Sequence, residues 1–313
     1  MSFTSPRYVK VTSTDPVPNY LIHPDRLANE LIQCNYEQIY SQTSQSFKDE
    51  VPWNKFLNVV QSFNDSVQQY HAVAELKHND TLRKVWRDEL NTRGVMAVFA
   101  EKHMKYPDYT ILAMQVRRLQ LYPATDQIRT QTIFSPPIEQ DWQVIWGGTN
   151  ALINHHYDYD NQRYAYDLII THNGSSFEGD PQQNESYYAY CKPVVAPANG
   201  IVVKVVSDIK DNKVVGKMNE KHPAGNYVVI RHADKEYSML GHFRKSSITV
   251  KVDDQVQRGQ KLGACGNSGN SSEPHIHFQV MDEADWSRST SLPVRFASDI
   301  SPVQGEVMPG SLL

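Results

Sequence analysis

The chain has 313 residues, of which 40% are hydrophobic and 21% are charged, and its formal net charge is −4. This length exceeds the usual size of a single core and predicts two domains, and the composition is typical of a folded globular protein. The negative net charge and the lack of a Lys/Arg cluster argue against a nucleic-acid-binding protein. No stretch approaches the roughly 20 apolar residues that a transmembrane helix needs.

The three cysteines, Cys34, Cys191 and Cys265, are scattered singly and form no C-x-x-C pair. This spacing argues against a cysteine-rich zinc site and against a disulfide framework. One disulfide with one free thiol stays open, but three buried free thiols is the interpretation we favour.

The first eight residues, Met-Ser-Phe-Thr-Ser-Pro-Arg-Tyr, contain no apolar h-region, so no secretory signal is visible in this chain. Two interpretations stay open. The protein acts in the cytoplasm, or this is a mature chain from which a signal has been removed.

The N-terminal part of the chain predicts an α+β domain at residues 24–129, preceded at 1–23 by an extended arm without periodicity. Apolar residues at three- and four-residue steps predict one helix from Pro24 to about Ser46 and a second from Pro52 through Phe63. Alternation then predicts antiparallel strands at Gln69–Leu76, Leu82–Leu90, Val95–His103 and Tyr109–Tyr122, with turns at Asn79-Asp80, Asn91–Gly94 and Pro107-Asp108. In its order of elements this arrangement resembles the small domains of the nuclear transport factor two superfamily.

Residues 130–140 lose both periodicities and contain Pro136-Pro137, which predicts a linker between two domains. From Trp142 onward the chain alternates short strand patterns with Gly and Asn turns and shows almost no helical pattern. We therefore expect a mostly antiparallel, all-β domain with a C-terminal tail at residues 141–313.

The strongest chemical signal is the stretch from Gly266 to Val280, GNSGNSSEPHIHFQV. His275 and His277 have the spacing H-x-H on a predicted strand, so their imidazoles lie on one face and are close enough to share a metal. The Gly/Asn/Ser-rich turn before the strand leaves that face open to a ligand. The alternative is a pair of exposed strand histidines without a metal.

Three further blocks accompany this stretch, at 194–202 (VVAPANGIV), 225–232 (GNYVVIRH) and 256–263 (VQRGQKLG). With it, and in this order, they resemble the lysostaphin-type (LytM-like) zinc metallopeptidase family over residues 142–282. The resemblance implies a Zn²⁺-dependent endopeptidase that hydrolyses peptidoglycan peptides. It also implies that the protein works outside the cytoplasm, in the periplasm, in the cell envelope or as a secreted enzyme.

The resemblance also implies roles for individual histidines. The second histidine of H-x-H ligates zinc in this family, which assigns that role to His277, and the first is a catalytic residue that does not bind the metal, which assigns that role to His275. A further catalytic histidine follows a short strand that ends in Tyr-x-His. The corresponding run here, from Tyr237, ends at His242, with Gly241 where the family often has an aromatic residue.

The family's other two ligands come from an H-x-x-x-D motif, which corresponds here to Arg163–Asp167. Asp167 takes the carboxylate position, but Arg163 cannot ligate zinc because its guanidinium stays protonated and offers no lone pair. The missing nitrogen must then come from the neighbouring His155-His156 pair. Some family members with an Asn-x-His…Gln-Arg-Tyr-Ala-x-Asp layout align their histidine with His156, so we assign His156 as the ligand, with His155 as the alternative.

Two imidazoles and one carboxylate leave a fourth tetrahedral position open for water, which is the pattern of catalytic zinc sites. Zinc would lower the pKa of that water toward about 7, and His242 and His275 would orient it and relay its proton. We expect Arg163 to point away from the metal and to pair with Asp158 or Asp160.

Two competing interpretations follow from the same residues. If neither upstream histidine reaches Asp167, the domain is an inactive module that binds cell wall or regulates another wall hydrolase. The blocks around Gly200 and Gly259 also resemble lipoyl and biotinyl carrier domains, but no lysine stands at a tight turn midway between them. Glu273 is expected to be only a turn carboxylate, and the N-terminal domain has no catalytic residues that the sequence reveals.

Overall fold

The computed structural model describes residues 20–101 and 109–311. Most of the predicted extended arm, the end of the third predicted strand and the turn at Pro107-Asp108 lie outside these residues. Within the described part of the chain, no helix is long and apolar enough to cross a membrane.

The described chain begins with short helices. They are a 3-10 turn (Pro24–Arg26), α1 (Leu27–Ile32), α2 (Tyr36–Ser41), α3 (Gln45–Glu50) and α4 (Trp53–Asn64). The single helix predicted from Pro24 to Ser46 is therefore wrong. The backbone of Cys34 has a φ of 58°, and the Asn35 N–H turns back to the Glu30 carbonyl at 3.0 Å, which ends α1. The prediction of a helix after Pro52 is confirmed by α4.

A four-stranded antiparallel sheet follows, in the order of its strands along the chain. The strands are β1 (Tyr70–His78), β2 (Thr81–Asp88), β3 (Arg93–Ala100) and β4 (Ile111–Arg118). One face carries Trp86, Val95 and Phe99 into a core shared with Leu27 and Phe56 of the helices, as expected for an α+β arrangement. The likeness to the nuclear transport factor two superfamily stays a prediction.

The second part of the chain is mostly antiparallel β-structure, as predicted. Its elements are α5 (Pro123–Asp126), β5 (Trp142–Trp146), β6 (Tyr166–Ile169), β7 (Pro193–Val195), β8 (Gly200–Val206), β9 (Asn226–Ala233), β10 (Glu236–Phe243), β11 (Gln255–Val256), β12 (Lys261–Ala264), β13 (Ile276–Met281), β14 (Ser291–Leu292) and β15 (Val307–Met308), with 3-10 turns at His155–Asp158, Asn184–Ser186 and Ala297–Asp299. The main sheet has the order β11-β8-β9-β10-β13-β6-β5-β15, with β14 beside β13, and β7 pairs with β12 separately.

The segment predicted as a linker packs into this second β core. Phe134 and Ile138 are fully buried, the Phe134 N–H donates to the Arg295 carbonyl at 2.9 Å, and Ile138 forms an isolated bridge with Val194. The apolar residues on either side of Pro136-Pro137 therefore hold residues 130–140 against the sheet. The domain boundary itself stays a prediction.

The far face of the first sheet packs against the second part of the chain. Val85 and Met96 share a small core with Leu152 and Ile153, just before the double histidine. The Arg83 guanidinium donates to the Leu152 carbonyl at 2.7 Å. The first sheet thus supports the segment that leads into His155-His156.

All three cysteines are free thiols, as favoured from their spacing. Cys265 is buried, but Cys34 and Cys191 are exposed. The expectation of three buried thiols is therefore wrong for these two, because both lie at turns with a positive φ rather than in a core.

Candidate active site

Three adjacent strands place the central residues of the site in one row. Gly241 of β10 lies opposite His277 of β13, and His277 lies opposite Asp167 of β6. Directly opposed residues of antiparallel strands project on the same face, so the His277 imidazole and the Asp167 carboxylate stand side by side. Gly241 contributes no side chain, and a Cβ added there would lie 3.6 Å from that of His277. The row is therefore open on the Gly241 side.

The Asp167 carboxylate lies between two buried imidazoles. His277 Nδ1 is 2.9 Å from one carboxylate oxygen, and His156 Nε2 is 2.9 Å from the other. His156 reaches this position because Asn154 caps the 3-10 turn, accepting the His156 N–H at 3.1 Å and donating to the Ala165 carbonyl at 3.2 Å. The cap joins the turn to the start of β6. Arg163 thus leaves no gap beside Asp167, because His156 fills it.

His155 lies at the edge of the same group. Its ring stacks on His156 with a centroid separation of 3.8 Å and meets the edge of Trp146 at 4.8 Å. A ring nitrogen lies within 4.8 Å of the ligand atoms of His156 and Asp167, although the residue is exposed. Packing against Trp146 and His156 partly removes the His155 ring from water, and this desolvation, with the charge of the neighbouring His156, lowers the pKa of His155 to about 4. Both histidines are therefore near the carboxylate, but His156 is the one in direct contact.

A backbone irregularity brings His242 into the site. Strand alternation from Gly241 would turn the next side chain into the core, but the β9–β10 register shifts between Leu240 and Phe243, and His242 has a φ of 66°. Such a bulge re-aims a side chain, and this φ is an uncommon conformation that occurs at functional sites. The His242 ring lies 4.6 Å from that of His275, and its Nδ1 donates to the Ser268 carbonyl at 2.8 Å. Its Nε2 is left as a free acceptor.

His275, like His242, carries a proton on Nδ1, because this nitrogen faces a main-chain carbonyl. Its Nδ1 lies 2.8 Å from the Glu273 carbonyl and 3.0 Å from the Ser271 hydroxyl, which itself donates to that carbonyl. His275 Nδ1 therefore carries the proton, and its Nε2 faces Asp167 Oδ1 at 3.7 Å. The two residues predicted to be catalytic thus both donate through Nδ1 to a main-chain carbonyl, which leaves Nε2 as the ring atom available for chemistry.

The buried charges shift the ionisation of the whole group. Burial alone would raise the pKa of Asp167, but the imidazoles of His156 and His275 outweigh it and hold that pKa well below its usual value. Burial lowers the pKa of His156 and, well below its usual value, that of His242. Burial also opposes charge on His277, but the hydrogen bond with Asp167 prevails and raises the pKa of its imidazole. The site thus combines an ionised carboxylate with neutral imidazoles at His156 and His242.

Gln279 is a site residue that the sequence reasoning missed. Its side-chain NH₂ donates to the Asn161 carbonyl at 2.8 Å, so its Oε1 faces His277 Nε2, also at 2.8 Å. His277 Nε2 therefore donates to Gln279, which leaves Nδ1 as the ring atom that faces the Asp167 carboxylate. The period-two pattern His275, His277, Gln279 was the available signal, because it puts all three residues on one face of β13.

This arrangement fits a metal ion. His277 Nδ1 and the Asp167 oxygen are 2.9 Å apart, a spacing that needs a cation, either a proton or a metal, between the two atoms. Zinc bonds of about 2.0–2.2 Å put two tetrahedral ligand atoms roughly 3.4 Å apart, so the observed spacing needs to widen by only about half an ångström. Two nitrogens and a carboxylate are also a donor set that zinc prefers.

Arg163 points away from this group. Its guanidinium pairs with Asp160, as expected, and stacks over the Tyr122 ring with a separation of 3.3 Å from the centroid. Asp158, the other predicted partner, binds Arg117 instead. The Arg163 cation is therefore paired outside the site.

Glu273 is more than a turn carboxylate, so that prediction is wrong. The residue is buried, one carboxylate oxygen lies 2.8 Å from His78 Nε2, and the other accepts a hydrogen bond from the Ser176 hydroxyl at 2.6 Å. Burial acts to raise the pKa of Glu273, but the hydrogen bond from His78 and the other partners lower it. No local pattern could reveal this, because His78 lies far away in the sequence.

Asp167 and the five histidines described above line a groove with a volume of about 390 Å³. Its walls carry large side chains suited to apolar contacts, namely Trp146, Tyr159, Met218 and Trp286. Tyr159 and Met218 are exposed, so the groove is open to solvent along its edge.

Residues 184–288 match Peptidase family M23. These residues are an M23 peptidase domain. The matched range contains His242, His275 and His277, whereas His156 and Asp167 precede it and meet His277 through β6 and the turn before it.

Relatives of the M23 domain include two proteins of Vibrio cholerae. Peptidoglycan DD-endopeptidase ShyA is 36% identical over 90 residues, which is 28% of this chain and 17% of that protein. Peptidoglycan DD-endopeptidase ShyB is 33% identical over 146 residues, 46% of this chain and 26% of that protein. The chain thus matches about a quarter or less of these relatives' length. Among solved structures, a mutant catalytic domain of the prophage-encoded M23 protein EnpA from Enterococcus faecalis is 21% identical with a TM-score of 0.34, over 51% of this chain and 95% of that one.

Proposed function

We propose that the chain is a zinc-dependent endopeptidase that hydrolyses peptide bonds in the stem peptides or cross-bridges of peptidoglycan. The observation that carries the proposal is the position of Asp167 between His156 and His277, with His242 and His275 beside them at one open groove. The M23 domain and the similarity to two peptidoglycan DD-endopeptidases support the same reaction and the same substrate class.

His156 Nε2, the Asp167 carboxylate and His277 Nδ1 would hold the zinc, because each of the two imidazole nitrogens lies 2.9 Å from an oxygen of Asp167 and all three residues are buried. Three protein ligands leave a position for water, as in catalytic rather than structural sites. When bound, the ion supplies Lewis acidity, lowers the pKa of its water toward about 7 and polarises the scissile carbonyl.

The chain's own residues do the rest of the chemistry. His242 and His275 each keep a proton on Nδ1 through a backbone carbonyl, so each Nε2 is free to accept the proton of the attacking water and to return it to the leaving amine. Gln279 fixes the His277 ring so that Nδ1 faces Asp167. The groove positions an extended peptide across these atoms.

The location of the proposed substrate indicates where the protein works. Peptidoglycan lies outside the cytoplasmic membrane, so we propose that the protein works in the periplasm, in the cell envelope or as a secreted enzyme. A natural protein retained in the cytoplasm would contradict a wall substrate, and fractionation of the source cells measures this directly.

Digestion of purified sacculi, followed by separation and mass analysis of the released muropeptides, tests the function. The wild-type protein should release peptides cut at one type of bond, Asp167→Asn should release none, and Asp234→Asn, on an exposed turn, should behave like wild type. If the zinc-loaded protein binds sacculi and leaves every peptide bond intact, the domain is a wall-binding module and not a peptidase.

A further inference from the structure

The tip of the β1–β2 hairpin in the N-terminal region contacts the part of the chain that forms the active site. The Asn79 N–H donates to the Gly174 carbonyl at 2.7 Å, and Asn79 Oδ1 accepts the Ser176 N–H at 3.1 Å. Lys77 packs so closely over Gly174 that an added Cβ would lie 2.6 Å from its Cγ. The hairpin tip is therefore fixed to residues 174–176 by main-chain bonds and by packing.

The same tip holds a buried carboxylate next to the site. One carboxylate oxygen of Glu273 lies 2.8 Å from His78 Nε2, and the other accepts a hydrogen bond from the Ser176 hydroxyl at 2.6 Å. Glu273 lies in the loop that leads into β13, two residues before His275. A buried carboxylate that loses a partner is costly to keep in place, so the loop position depends on this contact.

Glu273 is also the residue that orients His275. Its main-chain carbonyl accepts from His275 Nδ1 at 2.8 Å, and the Ser271 hydroxyl donates to the same carbonyl at 2.8 Å. The side chain of Glu273 thus binds the N-terminal hairpin while its main chain sets the tautomer of a site imidazole. A shift of this loop would move the carbonyl and weaken the hold on Nδ1–H.

We propose that His78 is a positioning residue for the peptidase reaction, and that the N-terminal region is a structural part of the active site rather than a separate wall-binding or spacer module. His78 acts through Glu273 on the orientation and tautomer of His275. This inference rests on the proposed function for its kinetic consequence only. Its structural consequence, at the His275 ring, is independent of whether the chain cleaves anything.

The test compares two histidines of β1 in the full-length protein. His78→Ala removes the contact with Glu273, whereas His71→Ala removes an exposed histidine seven residues away on the same strand. His78→Gln should restore much of the function, because the Gln amide nitrogen occupies nearly the position of Nε2 and donates to the same carboxylate oxygen. The measurements are kcat and KM on a muropeptide dimer, zinc content, and ¹⁵N NMR of the His275 ring in zinc-free protein.

We expect His78→Ala to lower kcat by roughly tenfold to a hundredfold, the scale of a small misplacement of a reacting group, with KM and zinc content nearly unchanged. The His275 ring should then show a mixture of tautomers in place of one, and His71→Ala should match wild type. If the wild type cleaves no muropeptide, the proposed function fails while the tautomer change still decides this inference.

A folded His78→Ala variant with wild-type kcat and a single His275 tautomer would overturn the proposal. So would an equal loss in His71→Ala, or a loss confined to zinc binding. If His78→Ala does not fold, Ser176→Ala decides, because it removes the other side-chain partner of Glu273. It should lower kcat by a smaller factor and disturb the same ring signal, and the absence of both effects would also overturn the proposal.

Discussion

The sharpest difference that the structure predicts is between two neighbouring histidines. His156→Ala should weaken zinc binding strongly, whereas His155→Ala should leave the zinc affinity nearly unchanged. His156 Nε2 is buried and 2.9 Å from the Asp167 carboxylate. His155 is exposed and packs on the outside of the His156 ring. The variants remove the same side chain one position apart, so each is the control for the other.

The expected loss of zinc affinity follows from the number of protein ligands. Structural zinc sites with four protein ligands bind with about 10–16 kcal/mol, or about 3 kcal/mol per ligand. Loss of His156 from a set of three should therefore weaken zinc binding by a factor of roughly 10² or more. Loss of the exposed His155 ring removes only packing, so the expected change is within about 0.5 kcal/mol, less than a factor of three.

Zinc affinity is measured by competition with a chromophoric chelator at pH 7.5, with circular dichroism to establish that both variants are folded. The opposite order of affinities would make His155 the ligand. Equal, wild-type affinities would show that neither histidine binds the metal, and the mechanism proposed here would then have only two protein ligands.

Three further predictions concern separate parts of the molecule. His242→Ala and His275→Ala should each keep zinc, by metal analysis, but lose about 10²–10⁴-fold in kcat, and loss of the metal would mean that ligand and catalytic roles are exchanged. Gln279→Leu should weaken zinc binding by about 10–100-fold in chelator competition, because His277 loses the partner that orients it, and wild-type affinity would refute that role. Asp88→Ala should destabilise the fold by about 2–3 kcal/mol at pH 7 in urea unfolding, because its carboxylate accepts from the Thr92 and Arg93 N–H groups. Burial acts to raise the pKa of Asp88, but the hydrogen bonds outweigh it and the pKa is lowered. The stability lost in Asp88→Ala should therefore be constant above about pH 4 and shrink as pH falls below that. A loss of stability that does not depend on pH would contradict this.

Much of the β-structure could be predicted because its information is local. Alternation along each strand located β1 to β4 and placed His275 and His277 on one face of β13. The prediction of one helix from Pro24 to Ser46 was wrong because a single residue, Cys34, ends the first helix. Cys34 adopts a positive φ, which the spacing of apolar residues does not indicate. Residues 130–140 read as a linker because their buried residues, such as Phe134, are too few and too irregularly spaced to give a period.

The candidate site was predictable only in part, because several of its contacts depend on turns, a bulge and residues far apart in the sequence. The H-x-H spacing and the family resemblance pointed to the histidines and to Asp167, but the contact of Asp167 with His156 depends on the turn that Asn154 caps. The His242 side chain reaches the site because of a bulge in β10. Strand alternation alone would place this side chain on the opposite face of the sheet. The bond between His78 and Glu273 joins distant parts of the chain, so it could not be read from any local pattern.

Titration of zinc into the metal-free protein, with cleavage of a cross-linked muropeptide dimer followed at each step, tests the central proposal most directly. No cleavage should occur without zinc, the cleavage rate should rise in proportion to added metal, and it should reach its plateau at about one zinc per chain. Cleavage by the metal-free protein, or a full equivalent of bound zinc without any cleavage of the dimer, would contradict it.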